Sequence, residues 1–224
     1  MANDYHQELI PGAYYHIYNR AVASESIFSS KWAVDAFMSR WNTYIEPYTD
    51  AIACCLMPNH FHFMIRVKAA EEWDKEQLAQ ENTLLSLKLL EGKATHNEFL
   101  IHQLTRALGG FCTSYNKRKK RHGAVLQERV KRICLRTESR WWWQLCYIHH
   151  NCIHHGFAPD YELWPTSSYH DYLERNWDHL PAYLQWLGED GPNGKRRFFL
   201  AHQRFKDSWA QGTLDWRTDV EPED

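Results

Sequence analysis

The sequence predicts an α+β fold in which a single antiparallel sheet has helices packed on one face, with a small helical extension at the C-terminus. Three observations predict it. Strand-period and helix-period segments alternate as strand, helix, two strands, helix, strands, helix. The two middle strands are joined by a Pro-Asn turn signal too short for anything but a hairpin. The composition is that of a packed chain: 224 residues, 44% hydrophobic and 15% aromatic with 11 Trp, which argues against disorder.

In chain order, YYHIYNRAV (14–22) is rich in aromatic and β-branched residues and reads as a strand. Ser29 and Ser30 offer a cap for KWAVDAFMSRWNTYIE (31–46), whose apolar positions recur at helical spacing. AIACCLMP (51–58) and HFHFMIRV (60–67) form the hairpin. Residues 69–95 are charged around one leucine-rich patch, LLSLKLLEG, and read as a helical insertion. Leu100, Leu104, Leu108, Phe111 and Tyr115 then mark one stripe of a helix that Gly123 ends. On that stripe Tyr115 is a core residue. AVLQERVKRICLR (124–136) alternates as strands do. SRWWWQLCYIHHNCIHHG (139–156) reads as a helix capped by Ser139 and stopped by Gly156. One or two short helices around a Gly-Pro loop complete the chain. The division is thus a domain over 1–173, with 69–95 as its insertion, and a helical extension with an acidic tail over 174–224.

No CxxC pair occurs among the six cysteines, the first residues lack a signal-peptide pattern, and no apolar run is long enough to cross a bilayer. The expectation is a cytoplasmic protein with reduced thiols. The formal net charge of -2 conceals a strong asymmetry. Residues 102–140 hold eleven Lys or Arg against two acids, Glu128 and Glu138, while acids gather at 71–81 and in the last residues. Such a block fits a polyanionic partner.

Two clusters carry chemistry. In a strand, residues i and i+2 share a face, so His60 and His62 project together while Phe61 and Phe63 point to the other side. Paired imidazoles are metal ligands, although with 14 histidines about one HxH is expected by chance. No cysteine pair suits zinc, which favours a mixed histidine and oxygen site for Mg2+ or Mn2+. The second cluster is CYIHHNCIHHG (146–156). On a helix Tyr147 and Asn151 share a face, with His150 and His154 beside it. Asn offers a carbonyl oxygen to a hard cation. A tyrosine hydroxyl, with an ordinary pKa of about 10, attacks phosphorus well only with help from a cation or base.

PNHFHFMI followed by YIHHNCIHHGF resembles the HUH-type single-tyrosine transposases, in particular the REP-associated tyrosine transposases. HIYNRAV is similar to that family's first strand, RKKRHGAVLQERVKR to its basic turn and ELWPTSSYHDYL to the segment after its tyrosine helix, so the resemblance spans about residues 12–173 in order. Cys152 departs from it, standing where the family usually has Pro. The resemblance implies a ferredoxin-like sheet, with His60, His62 and Asn151 as ligands of Mg2+ or Mn2+ and Tyr147 as nucleophile. The implied reaction is transesterification on single-stranded DNA through a 5′-phosphotyrosine intermediate. The substrates would be imperfect palindromic hairpins and the enzyme a monomer or homodimer, away from membranes. In that setting Arg20, Lys117, Arg118, Lys120, Arg121, Arg129, Lys131 and Arg132 would meet phosphates, and Gln127 a base edge. Trp141–Trp143 offer stacking faces, and the acidic tail a screen for the basic groove. Other readings remain open: a domesticated hairpin binder without cleavage, a replication-initiator-like nicking enzyme, or a plain metal- or RNA-binding protein.

Overall fold

A computed structural model of the chain describes residues 5–187 and 191–214. The sheet begins with β1 (Tyr14–Arg20), and the chain crosses through α1 (Lys31–Tyr44) to the hairpin of β2 (Thr49–Met57) and β3 (His60–Val67). It returns through α2 (Lys75–Gln80), α3 (Leu84–Leu90) and α4 (His96–Lys119) to β4 (Lys131–Leu135). Then follow α5 (Glu138–His154), α6 (Tyr169–Glu174) and α7 (Pro192–Ala210). The strands lie in the order β2-β3-β1-β4, and each neighbouring pair is antiparallel. Each crossover helix therefore joins two strands with a third between them, the split β-α-β order.

Two cores sandwich the sheet. On one side α1 and α4 cover Tyr15, Ile17, Phe61, Phe63 and Ile65, and Trp41 stacks on Phe63 with ring centroids 3.8 Å apart. On the other side α5, α6 and α7 pack over Tyr14, Cys55, Met57 and Met64. The expectation of helices on one face is corrected here. β3 is buried at every position but Arg66, and a sheet with apolar side chains on both faces must be covered on both.

Several boundaries differ from those expected. α5 is capped by Thr137, whose hydroxyl accepts from the Arg140 amide, and Ser139 lies inside the first turn. α4 stops at Lys119 because Lys120 adopts a left-handed conformation. The strands expected over 124–136 shrink to β4, and residues just before it run irregularly beside the end of β1, with the Gln127 amide donating to the Arg20 carbonyl. Around the Gly-Pro loop a short 3-10 helix (Ala182–Leu187) precedes α7, which is a long helix and not a short one. Its Phe198 stacks on Tyr172 of α6 at 4.5 Å, so it shares the core of α5 and α6. Gly156, with φ of 69°, does end α5 as expected. Within 69–95, α2 and α3 are capped by Asp74 and Thr83. The acidic tail beyond 214 lies outside the described residues. All six cysteines are free. No helix among the described residues is long and apolar enough to cross a membrane.

Candidate active site

Strand register determines which side chains meet. Arg20 pairs with His60, Tyr18 with His62 and His16 with Met64, while Lys131 of β4 pairs with Tyr18. Paired residues share a face. His16, Tyr18, Arg20, His60, His62 and Lys131 therefore all project toward the side that α5 covers. His62 is held on this surface by stacking: its ring lies 5.0 Å from His16 and 5.4 Å from Tyr18, nearly parallel to both.

From above, α5 presents Tyr147, Asn151 and His155 at intervals of four, a single helical stripe. The Tyr147 ring stands edge-on to His62 at 5.9 Å and to His16 at 6.2 Å. Trp143 stacks on it at 5.0 Å and Trp209 lies at 6.5 Å, leaving Tyr147 only 4% exposed. Asn151 is fully buried and its amide nitrogen donates to the Tyr147 carbonyl at 2.9 Å. That bond fixes the amide orientation, and Oδ1 is left buried with no hydrogen-bond partner. At the end of the helix His155 packs against His60 with ring centroids 4.8 Å apart.

The protonation pattern suits a ligand set. Asn59 Oδ1 sits 2.6 Å from His60 Nδ1 and can only accept, which places the His60 proton on Nδ1 and a lone pair on Nε2. His62 Nδ1 lies 2.8 Å from His16 Nε2. With the proton on His62 Nδ1, its Nε2 also keeps a lone pair, and this buried atom has no hydrogen-bond partner. Burial first, and then the neighbouring His16, His60, His155 and Arg20, push His62 well below the ordinary histidine range. It is therefore neutral, the form that binds metals. Among the described residues no group of three His, Cys, Asp or Glu is arranged to hold a metal ion. Two imidazoles on β3 and an amide oxygen on the α5 stripe that faces them make a donor set that suits Mg2+ or Mn2+ better than an all-nitrogen or thiolate zinc site. Two buried acceptors without partners, His62 Nε2 and Asn151 Oδ1, are what such a cation would satisfy.

The remaining sequence candidates scatter. Lys117, Arg118 and Lys120 are exposed at the end of α4, on the opposite side of the sheet from Tyr147. Arg118 lies over Trp32 at 4.6 Å. Arg121 is engaged by Glu25 at 2.5 Å. The Arg132 guanidinium donates to the carbonyls of His6, Gln7 and Val130, so it holds the N-terminal segment to β4. Gln127 and Arg129 are exposed at a cleft of about 500 Å3 between α4 and the approach to β4. Only Arg20 and Lys131 share the face of Tyr147. Tyr115 is buried in the other core and its hydroxyl donates to Glu25.

Two members of the cluster escaped the sequence reading, His16 and His155. The alternation of Tyr14, His16, Tyr18 and Arg20 along β1 was the available signal for the first. His150 and His154, read as flanking the tyrosine face, turn toward α7: His150 packs on Phe205 at 5.4 Å and His154 on Trp209 at 4.6 Å.

A buried polar chain locks α7 to the site helix. The Phe198 carbonyl can only accept, so His202 Nδ1 carries a proton and its Nε2 accepts from His149 Nδ1 at 2.8 Å. His149 Nε2 then accepts from the Ser168 hydroxyl at 2.9 Å. Burial pushes His149 well below the ordinary range and His150 and His202 down to about 4. Unfolded imidazoles bind protons below about 6.5, whereas these folded ones resist until about 4 or lower. Unfolding therefore takes up protons in this window. Stability is expected to fall as pH drops from about 6.5 toward 4, by up to about 1.4 kcal/mol per pH unit for each such histidine. Urea midpoints measured at neutral and mildly acidic pH test this, and an unchanged midpoint would contradict it.

No family model matches the chain. Over 140 residues, 61% of this chain and 69% of the relative, it is 25% identical to a Haemophilus influenzae protein named "Putative REP-associated tyrosine transposase". Among solved structures, one described as a REP-associated tyrosine transposase bound to a REP hairpin aligns with a TM-score of 0.49 at 15% identity. That alignment covers 78% of this chain and 87% of the other.

Proposed function

We propose that this chain, a relative of the REP-associated tyrosine transposases, is a divalent-cation-dependent endonuclease and strand transferase acting on hairpin-containing single-stranded DNA. The observation that carries this reading is the Tyr147 ring edge-on to His62 at 5.9 Å, with Asn151 one turn on from Tyr147 and His60 two positions from His62 on the same strand face, all buried. A purely structural role leaves unexplained the buried acceptors without donors on the two facing elements, His62 Nε2 on β3 and Asn151 Oδ1 on α5.

In this reading His60, His62 and Asn151 hold Mg2+ or Mn2+. The cation, when bound, draws charge from a phosphate oxygen and stabilises the charge that builds up during transfer. His16 holds the His62 ring in place through the bond to Nδ1. Because Tyr147 is covered by Trp143 and Trp209, a DNA phosphate reaches it only once these side chains shift. The Tyr147 hydroxyl then gives its proton to solvent and its oxygen bonds to phosphorus. The bond from phosphorus to the 3′-oxygen breaks, and that oxygen is protonated to a free 3′-hydroxyl. The 5′-phosphate stays on Tyr147. A second 3′-hydroxyl can reverse the step and join a new strand, since one phosphodiester replaces another and no ATP is needed. Arg20 and Lys131 lie on the same face and neutralise the incoming backbone.

The test is cleavage of an end-labelled single-stranded hairpin. Cleavage is expected with Mg2+ or Mn2+, is abolished by EDTA and returns when the cation is restored. Cleavage that persists in EDTA would contradict the cation's role, and no cleavage under any of these conditions would contradict the reaction.

A further inference from the structure

Of the basic block at 102–140, the exposed run 117–120 lies across the sheet from Tyr147, whereas a strand held at Tyr147 needs cations on its own side. That side carries a second basic surface, on the C-terminal helix. α7 holds Lys195, Arg196, Arg197, Arg204 and Lys206 against one acid, Asp207. Arg196, Arg197 and Arg204 are exposed. Together with Leu200, itself 44% exposed, and Trp142 of α5, they line an open groove of about 380 Å3. The Arg197 guanidinium sits 4.9 Å from the Trp142 ring centroid. Glu138 lies 3.8 Å from it, and both side chains are more than half exposed, a pairing that holds a guanidinium weakly. The next residue of α5, Trp143, stacks on Tyr147 and has the Arg140 guanidinium 5.4 Å from its ring. Trp142 and Tyr147 are five positions apart on one helix, about 7.5 Å along its axis and about 140° around it, so a strand in the groove passes over Trp143, the neighbour that stacks on Tyr147, to reach the hydroxyl.

Guanidinium groups alternating with aromatic and apolar faces fit one class of partner. The cations track a phosphate backbone and the flat faces take unpaired bases of any sequence. The geometry points to the groove between α5 and α7 as the track for the single-stranded DNA that flanks the hairpin, leading that strand to Tyr147. Arg196, Arg197 and Arg204 meet its phosphates, and Trp142 and Leu200 its bases. The assignment rests on the reading of Tyr147 as the nucleophile. It gives the helical extension a part in the reaction that the histidine and tyrosine motifs do not contain.

The test uses the full chain and an R196A/R204A double variant, both changes being on the exposed side of a helix where Ala is well tolerated. Two fluorescent probes are compared across a salt series, a bare hairpin and the same hairpin with single-stranded flanks. The wild type is expected to bind the flanked probe more tightly. The variant is expected to lose that gain, to bind the bare hairpin as before, and to show a salt slope on the flanked probe shallower by about 1.4, two single-strand phosphate contacts. A wild type that gains nothing from the flanks, or a variant that keeps the gain, overturns the track. A gain lost in the variant, from a wild type that forms no Tyr147 adduct, supports the track and overturns the proposed reaction.

Discussion

His62→Ala is expected to lower the rate of DNA cleavage by at least about 100-fold, the scale at which even outer-shell partners of a metal matter. The His62 ring is 3% exposed, lies beside the mutually stacked His16 and Tyr18 rings and stands edge-on to Tyr147. Its Nε2 has no hydrogen-bond partner, so nothing in the fold depends on that atom. Removing the ring takes away an unsatisfied buried nitrogen and some packing, and leaves the hydrophobic core on the α1 and α4 side untouched. Hairpin binding, carried by the basic surfaces, should therefore survive within a few-fold while Mn2+ binding, followed by calorimetry or electron paramagnetic resonance, is lost. A variant that cuts at the wild-type rate, or still binds Mn2+ as tightly, would remove His62 from the site.

The half of this site that follows from local spacing was legible in the sequence. HFHF on a strand puts both imidazoles on one side, and YxxxN on a helix puts phenol and amide on one side. Those periodicities survive folding because they are properties of backbone geometry. What joins the two halves is non-local. His16 enters the cluster only through the pairing of β1 with β3, a register that no spacing in either strand encodes. His155 enters because α5 runs its 147, 151 and 155 stripe along the sheet, while 150 and 154 turn toward α7, which the sequence placed only as short helices. The same blindness affected the basic block. Its composition was plain, but Arg121 is engaged by Glu25 and Arg132 by three carbonyls, and only the folded chain shows which charges are already in use. The second covered face was missed for a related reason. Tyr14, Met64 and Cys55 read as ordinary strand residues until α5, α6 and α7 close over them.

Tyr147→Phe carries the other large effect. The variant keeps the ring that packs among Trp143, His16 and His62 and loses one oxygen. The fold and the hairpin affinity should change little, while strand cleavage falls by a factor on the order of 10^4 or more, as when other covalent nucleophiles are removed. Tyr115→Phe is the matched control. Tyr115 lies in the opposite core with its hydroxyl on Glu25, so the change costs about 1 kcal/mol of stability and leaves the chemistry alone. The decisive measurement is a denaturing gel of the wild type, Tyr147→Phe and Tyr115→Phe after incubation with a labelled single-stranded hairpin and Mn2+. A covalent protein–DNA band in the wild type and Tyr115→Phe lanes, absent only from Tyr147→Phe, is the result expected. A band that persists in Tyr147→Phe, or that disappears with Tyr115→Phe instead, would contradict the assignment of Tyr147 as the nucleophile.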